Sequence, residues 1–160
     1  VIECVVKGMM PGIGEPVFEK LDANLAKAVM SIGAVKGVEI GDGFASAESF
    51  GSSNNDAFCL DQDKHITKAT NHAGGILGGI SDGSDVILRA AVKPTPSIAK
   101  TQQTVNRDKE PIAIEIGGRH DPIIVPRAVV VVEAMTAITV FDMMMESMSS
   151  NLDRIKRFFS

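Results

Sequence analysis

The sequence predicts an α+β fold in which a largely antiparallel sheet packs against long buried helices. Three observations lead to this prediction. Strand-like and helix-like segments are mostly grouped rather than regularly alternating. Apolar residues make up 44% and charged residues 22% of the chain, as in ordinary globular proteins. The length of 160 residues suits one domain with a sizeable core.

The apolar pattern predicts the first elements of the chain. Residues 1–6 are rich in β-branched side chains and predict a strand. After a loop rich in glycine and proline, apolar residues recur at helical spacing over 17–32. Pro16 suits the first turn of this helix, and Gly33 ends it. A second strand-like run, 35–44, ends in the glycine-rich sequence GDGF.

The remaining elements follow from similar patterns. Residues 45–70 are polar and turn-like, which predicts a long loop or a hairpin. The run DVILRAAVKP predicts a buried strand that ends at Pro94, and PIAIEI predicts a further strand. Residues 129–145 are apolar on nearly every side, so we expect a long central helix that is buried all round. A short amphipathic tail follows it.

Charge and composition argue against several functions. The formal net charge of -4 argues against nonspecific nucleic-acid binding, and the absence of Trp and Tyr argues against a base-stacking platform. Cys4 and Cys59 form no metal or redox motif, which favours free thiols. Arg127 and Glu133 interrupt the longest apolar run, so no membrane-spanning segment is predicted.

Three segments could carry chemistry. NHAGGILGGISDG is rich in glycine and suits either a structural turn or backbone amides that face a phosphate. KPTPSI begins at Lys93 and fits either a rigid exposed turn or a phosphate contact. In GGRHDPIIVPRA, Arg119 and Asp121 form either an ion pair that caps the last helix or part of a site. In such a site, the arginine would bind an anion and the aspartate would handle a proton.

The histidines point less clearly to a site. His65 lies in a polar loop and is predicted to be solvated, whereas His72 directly precedes the glycines. His120 lies within the third segment and could titrate near neutral pH. The three histidines are too far apart for a zinc-site spacing, so no metal site is predicted. Methionines 143–145 are predicted to fill core or interface space.

Four motifs occur along the chain in the order SIGAVKGVEIGDGF, NHAGGILGGISDG, KPTPSI and GRHDP...RA...EAM. This series closely resembles the chorismate synthase family over nearly the whole chain. The resemblance implies a lyase that eliminates phosphate from 5-enolpyruvylshikimate 3-phosphate to give chorismate, with reduced FMN as cofactor. It also implies a cytoplasmic homotetramer and a β–α–β sandwich with antiparallel sheets around a helical layer. It leaves open whether NADPH reduces the flavin at the enzyme or a separate reductase does so.

The resemblance also implies roles for individual residues. Flavin contacts are implied for a set of residues spread over the motifs: Gly33, Ala34, Gly78, Lys93, Pro94, Thr95, Pro96, Ser97 and Arg119. Asp121 matches an aspartate near the flavin that is thought to assist proton removal. Gly33 departs from the asparagine of many relatives, so only a backbone contact would survive there.

Two motifs of the family do not occur in this sequence. They are GESHG-like and RxSARET-like, and they carry the catalytic histidines and substrate-binding arginines. The chain also opens inside a strand-like run. We therefore expect residues 1–160 to be the C-terminal half of a chorismate synthase-like domain that is inactive alone. The alternatives are a stand-alone flavin- or phosphate-binding module without catalysis, and a structural half that needs its partner half to fold.

Overall fold

The computed structural model describes residues 1–15, 17–119 and 121–160, which form an α+β fold as the sequence predicts. The strands are β1 (Ile2–Val6), β2 (Val35–Ile40), β3 (Phe58–Leu60), β4 (Ile66–Lys68), β5 (Ile76–Leu77), β6 (Ile80–Ser81), β7 (Val86–Val92), β8 (Gln102–Val105) and β9 (Pro111–Ile114). The helices are α1 (Leu21–Met30), α2 (Gly51–Asn54), α3 (Val125–Ser149) and α4 (Leu152–Phe159), and a 3-10 helix spans Gly43–Glu48.

The central sheet is antiparallel and has the strand order β1–β7–β2. The side chains of Val86, Leu88 and Ala90 on β7 are fully buried in the core. This alternation confirms the predicted buried strand, because every second residue of a strand points to the same face. Helices α1 and α3 pack on one face of the sheet, α1 against β2 and α3 against β1.

Helix α1 is shorter than the sequence predicts. It covers Leu21–Met30 rather than 17–32, and Val17 lies outside it with a side chain that is exposed. The helix begins where the Leu21 amide donates to the Gly79 carbonyl oxygen (N···O 2.8 Å). This contact fixes the start of the helix, which the apolar spacing alone does not. Pro16, expected in the first turn, lies outside the described residues.

Helix α3 is longer and more exposed than the sequence predicts. It buries one stripe against α1 and β1, formed by Ala128, Val132, Thr136, Val140, Met143 and Ser147. The opposite face is apolar and exposed, so within the described residues α3 is not buried all round.

The length of α3 also corrects the prediction that no segment could span a membrane. By length and composition alone, α3 could cross one, although core helices of soluble proteins meet the same criteria. Arg127 and Glu133 do not interrupt the helix, because both side chains lie on its exposed sides.

Two segments extend from this body, and neither contributes a residue to the hydrophobic core of the described part of the chain. Residues 42–70, here called the excursion, contain the 3-10 helix, α2 and the hairpin β3–β4, which confirms the predicted hairpin. Strands β8 and β9 form a second hairpin. The sequence predicts β9 but not β8, whose residues are mostly polar. All four residues of β9 are exposed, so its alternating pattern does not correspond to a buried face.

Candidate functional site

Two of the predicted flavin-binding segments lie side by side at one end of the sheet. Ala34 follows α1 with a positive φ of 72°, and its carbonyl oxygen accepts a hydrogen bond from the Lys93 amide (N···O 2.8 Å). Directly beyond them, Val35 and Val92 are paired in the β2–β7 ladder. The structure therefore brings Ala34 into contact with Lys93, although about sixty residues separate them in sequence.

The segment after β7 combines an exposed lysine with a buried hydroxyl that is unpaired in the described part of the chain. The Lys93 side chain is exposed. The Thr95 hydroxyl oxygen is buried and has no hydrogen-bond partner within the described residues. Pro96 is held in place because its carbonyl oxygen accepts from the Gln102 side-chain amide (3.0 Å). Since buried hydroxyls normally find a partner, Thr95 is suited to binding a ligand atom.

Gly33 stands in open space at this junction. A Cβ atom built on Gly33 would meet no heavy atom within 4 Å, and its φ is not positive. The position therefore accommodates a side chain such as asparagine. The glycine here is a sequence difference that the backbone does not require.

Gly78 lies far from this junction. It forms, with Gly79, the two-residue turn of the β5–β6 hairpin, where both residues have positive φ (60° and 87°). The hairpin lies near the start of β7. The Ile87 amide on β7 donates to the carbonyl oxygen of Gly74 (3.2 Å), which lies two residues before the hairpin. Lys93 follows the other end of β7, roughly 20 Å away along the strand. The structure thus does not bring Gly78 together with Lys93.

The first part of the glycine-rich motif is a structural turn whose amides are already occupied. The Asp56 carboxylate accepts from the amides of His72 (2.8 Å) and Ala73 (2.9 Å) and from the Thr70 hydroxyl (2.7 Å). The Asn71 side-chain oxygen accepts a hydrogen bond from the Gly75 amide (2.7 Å). Protein groups therefore fill the positions that a phosphate would take at residues 72–75.

Asp56 is ionised over an extended pH range as a result. Burial opposes ionisation, but the hydrogen bonds from Ala73, Thr70 and His72 and the charge of Lys68 together hold the pKa of Asp56 below its ordinary value. An internal carboxylate thus acts as the anion of this turn.

Asp121 forms an ion pair, but with a different arginine from the one considered in the sequence. Its carboxylate lies 2.7 Å from Arg127 Nη1, near the start of α3, and both side chains are largely exposed. Within the described residues Arg119 forms no salt bridge, and it is exposed. The Arg119–Asp121 pair is therefore not formed, because Arg127 lies on the first turns of the helix. His120 lies outside the described residues.

A histidine–carboxylate pair that the sequence did not reveal joins the excursion to the glycine-rich motif. His72 Nδ1 lies 2.6 Å from Asp42 Oδ2, and the Asp42 amide donates to the His72 carbonyl oxygen (2.9 Å). Asn54 donates to the same carboxylate at 3.4 Å. The two residues are 30 positions apart, and no local pattern signals their contact.

A second, more deeply buried ion pair holds the hairpin β3–β4. The Lys68 ammonium contacts the Asp82 carboxylate, with side chains only 4% and 9% exposed. Asp82 also accepts from the Ser84 amide (2.9 Å). Burial opposes ionisation of Asp82, but the Lys68 hydrogen bond, the two hydrogen bonds of Ser84 and the Lys68 charge hold its pKa below the ordinary value.

The tip of that hairpin groups three possible metal ligands, Asp61, Asp63 and His65. All three are exposed, and His65 has a side chain that is 77% exposed, which confirms its predicted solvation. Asp61 accepts from the amides of Asp63 (2.9 Å) and His65 (2.8 Å). These bonds are those of a local turn, which explains the grouping without an ion.

Comparisons with known proteins agree with the series of motifs. A family profile described as chorismate synthase matches residues 1–145. The chorismate synthase of Lachnospira eligens is 63% identical over 159 residues, which cover 99% of this chain and 43% of that protein. That of Archaeoglobus fulgidus is 61% identical over 146 residues, covering 91% and 40%.

A solved structure supports the same relation. A crystal structure of chorismate synthase aligns with a TM-score of 0.73 at 32% identity, covering 98% of this chain and 40% of that one. The chain thus spans about two fifths of the length of these relatives. The profile match and the high identities over almost all of its residues lead to one conclusion: the chain belongs to the chorismate synthase family.

Proposed function

We propose that the chain forms part of a chorismate synthase, a lyase of aromatic amino-acid biosynthesis. The reaction would eliminate phosphate from 5-enolpyruvylshikimate 3-phosphate and give chorismate, with reduced FMN bound in part by this chain. Family membership supports the proposal. The observation that carries it is the junction of Ala34 and Lys93 beside the unpartnered Thr95 hydroxyl.

The residues at this junction fit a phosphorylated, planar cofactor. A lysine ammonium is suited to a phosphate, and a buried hydroxyl without a partner is suited to a polar ligand atom. Lys93, Thr95 and Ser97 would hold the flavin, together with the backbone at Ala34. Reduced FMN would supply electron density to the substrate while the phosphate leaves.

Arg119 and Asp121 would act on the other side of the cofactor. The Arg119 guanidinium would grip an anionic group of cofactor or substrate through paired hydrogen bonds. Asp121 would accept a proton, and its contact with Arg127 would orient the carboxylate. Gly78 lies roughly 20 Å from this junction along β7, so its open turn would not contact the part of the flavin that Lys93 holds.

We further propose that this chain is inactive alone and that the assembled enzyme is a cytoplasmic homotetramer with a β–α–β sandwich. The chain lacks the motifs that would bring the family's catalytic histidines and most of its substrate-binding arginines. The exposed apolar face of α3 supports the sandwich, because such a face is normally covered.

Flavin binding is tested by titrating FMN against the chain and following quenching of flavin fluorescence. Lys93→Ala and Thr95→Val should each weaken binding about ten- to hundredfold, as expected for loss of one charge-assisted or buried hydrogen bond. Lys36→Ala, an exposed lysine on β2, is the matched control and should bind like the unmodified chain. Equal affinity of Lys93→Ala and the control would remove Lys93 from the site.

Activity is tested anaerobically with reduced FMN and 5-enolpyruvylshikimate 3-phosphate. We expect no chorismate from the chain alone, while a full-length relative assayed in parallel gives product. Chorismate formation by the chain would overturn the proposed dependence on further residues. FMN binding without turnover agrees with this proposal. A second experiment separates part of an enzyme from a stand-alone binding module: the remaining part of a full-length relative is produced separately and added to the chain. If the chain is part of an enzyme, the mixture should form chorismate; a stand-alone binding module should form none.

A further inference from the structure

The segment proposed to bind flavin, residues 93–97, is attached to the sheet at its first residue. The Lys93 amide donates to the Ala34 carbonyl oxygen (N···O 2.8 Å), directly beyond the β2–β7 ladder. After this bond the segment leaves the sheet, and two of its residues, Pro94 and Pro96, have no amide hydrogen to donate. The sheet therefore fixes one end of the segment and leaves the other end to a different contact.

A side chain from β8 supplies that contact. Gln102 Nε2 donates to the Pro96 carbonyl oxygen (3.0 Å), six residues back along the chain. Among the residues that the structure describes, no other hydrogen bond reaches the backbone of residues 94–97. Gln102 is partly buried and is the first residue of β8, where its backbone lies opposite Ile114 of β9. The glutamine thus reaches the segment from an element of regular structure.

The two prolines allow these two bonds to define the whole segment. A proline restricts the residue before it to extended backbone, so Lys93 and Thr95 have few alternative conformations. With Lys93 bound to Ala34 and Pro96 bound to Gln102, the position of Thr95 between them is set. The Thr95 hydroxyl is buried and has no partner within the described residues. The bond from Gln102 therefore determines where a ligand atom would meet this hydroxyl.

We propose that Gln102 is a positioning residue of the flavin site, which acts through the Pro96 carbonyl oxygen rather than on the flavin itself. The proposal rests on the proposed function, in which Lys93 and Thr95 bind FMN. A segment that already has its bound conformation loses less conformational entropy when the ligand binds. Loss of the Gln102 bond should thus weaken FMN binding although every group that touches the flavin is still present.

The variant that tests this role is Gln102→Glu, because it keeps the shape of the side chain but replaces the donor by an acceptor at neutral pH. FMN titration should show about tenfold weaker binding, as expected for loss of one hydrogen bond. Gln103→Glu is the matched control, since it adds the same charge on an exposed side chain that points to the other face of β8. Equal weakening in both variants would assign the effect to charge and overturn the proposal.

A spectroscopic signature separates positioning from a general loss of stability. A hydrogen bond to a carbonyl oxygen moves the NMR resonance of the carbonyl carbon downfield. The Pro96 carbonyl resonance should therefore move upfield in Gln102→Glu and stay in place in Gln103→Glu. It is measured without FMN, on chains whose folded state is checked by circular dichroism. Weaker FMN binding without this movement, or the movement without weaker binding, would contradict the proposed role.

The same coupling should also act in the opposite direction. If the bond from β8 strengthens FMN binding about tenfold, bound FMN must stabilise the bonded arrangement of β8 by the same factor. Exchange of the β8 amides should therefore slow about tenfold at saturating FMN in the unmodified chain, and should not slow in Gln102→Glu. Exchange in the unmodified chain that does not respond to bound FMN would refute the coupling.

The titrations also separate failure of this proposal from failure of the proposed function. If Lys93→Ala weakens FMN binding and Gln102→Glu does not, the flavin site stands and the positioning role is wrong. If the unmodified chain binds no FMN, flavin binding by this chain is wrong, and the role of Gln102 is wrong with it.

Discussion

At the scale of single residues, the buried Lys68–Asp82 pair stands out because two charges lie almost out of water. The pair connects β4 to the residues that follow β6 and so anchors the C-terminal strand of the hairpin β3–β4. Removing both charges from such a pair is often tolerated, whereas removing one leaves the other uncompensated. The pair thus fixes the position of the hairpin more than it adds net stability.

Asp82→Asn should lower the free energy of unfolding by about 3–5 kcal/mol, because the Lys68 ammonium would stay buried without a counter-charge. The double variant Lys68→Met with Asp82→Leu should lose much less. Urea unfolding followed by circular dichroism measures both. If the double variant is as unstable as the single one, charge burial is not the cause.

The same carboxylate, together with Asp56, should make the chain sensitive to acid. Both have a folded pKa below the ordinary value, so their stabilisation is present above about pH 4 and is lost as the pH falls through the lowered pKa. Urea unfolding between about pH 3 and pH 6 should show stability falling towards acid, and less steeply in Asp56→Asn. An unchanged slope would contradict the role assigned to Asp56.

At the scale of elements, the sequence predicted what depends on local pattern and missed what depends on contacts between distant segments. The β7 run is apolar and β-branched enough to be recognised as a buried strand. The predicted start of α1 was wrong because the observed start depends on a hydrogen bond to the Gly79 carbonyl oxygen, which lies far away in sequence. The covered stripe of α3 could not be predicted, because an all-apolar helix does not show which side meets the sheet.

The candidate site follows the same division. Motif order pointed to residues 33–34 and 93–97, and in the structure Ala34 contacts Lys93. It could not reveal that Gly78 lies at the other end of β7, nor that Asp121 pairs with Arg127. The roles of these residues toward flavin and substrate stay predictions.

Within α3, the buried hydroxyl of Thr136 should slightly lower the stability of the fold. Its side-chain oxygen has no hydrogen-bond partner within the described residues, although the residue is only 1% exposed. Thr136→Val should raise the free energy of unfolding by about 1 kcal/mol, since it removes an unsatisfied polar group and keeps the shape. Thr139→Val is the control on the same helix. Its hydroxyl donates to the Met135 carbonyl oxygen (2.7 Å), so that variant should gain nothing.

At the scale of the whole molecule, stability should be distributed unevenly. The core is concentrated on β7, α1 and one stripe of α3, whereas the hairpin β8–β9 contributes no buried residue. Regions with few buried contacts open locally at low cost. The predicted flavin-binding residues 93–97 lie between the stable core and the less stable hairpin, directly after the most buried strand.

Amide hydrogen exchange should reveal this gradient. Amides of Val86–Val92 should exchange only through global unfolding, whereas those of Gln102–Val105 and of residues 112–114 should exchange at much lower opening free energies. Mass spectrometry of peptic peptides at increasing exchange times resolves the two groups. Equal protection in both would mean that the hairpin is held by contacts that the described residues do not show.

The excursion leaves the body and returns to it at almost the same point. Gly41 and Gly74 are so close that a Cβ atom on Gly74 would collide with the backbone of Gly41. The chain between them is therefore a closed loop whose two ends are already joined by the sheet. Closing a loop costs only about 0.6 kcal/mol more for each doubling of its length, so the chain entropy sets little limit on the length of this segment. The contacts of Asp56 and Lys68 with the body set the limit instead, and length can vary most easily at the exposed tip of the hairpin β3–β4.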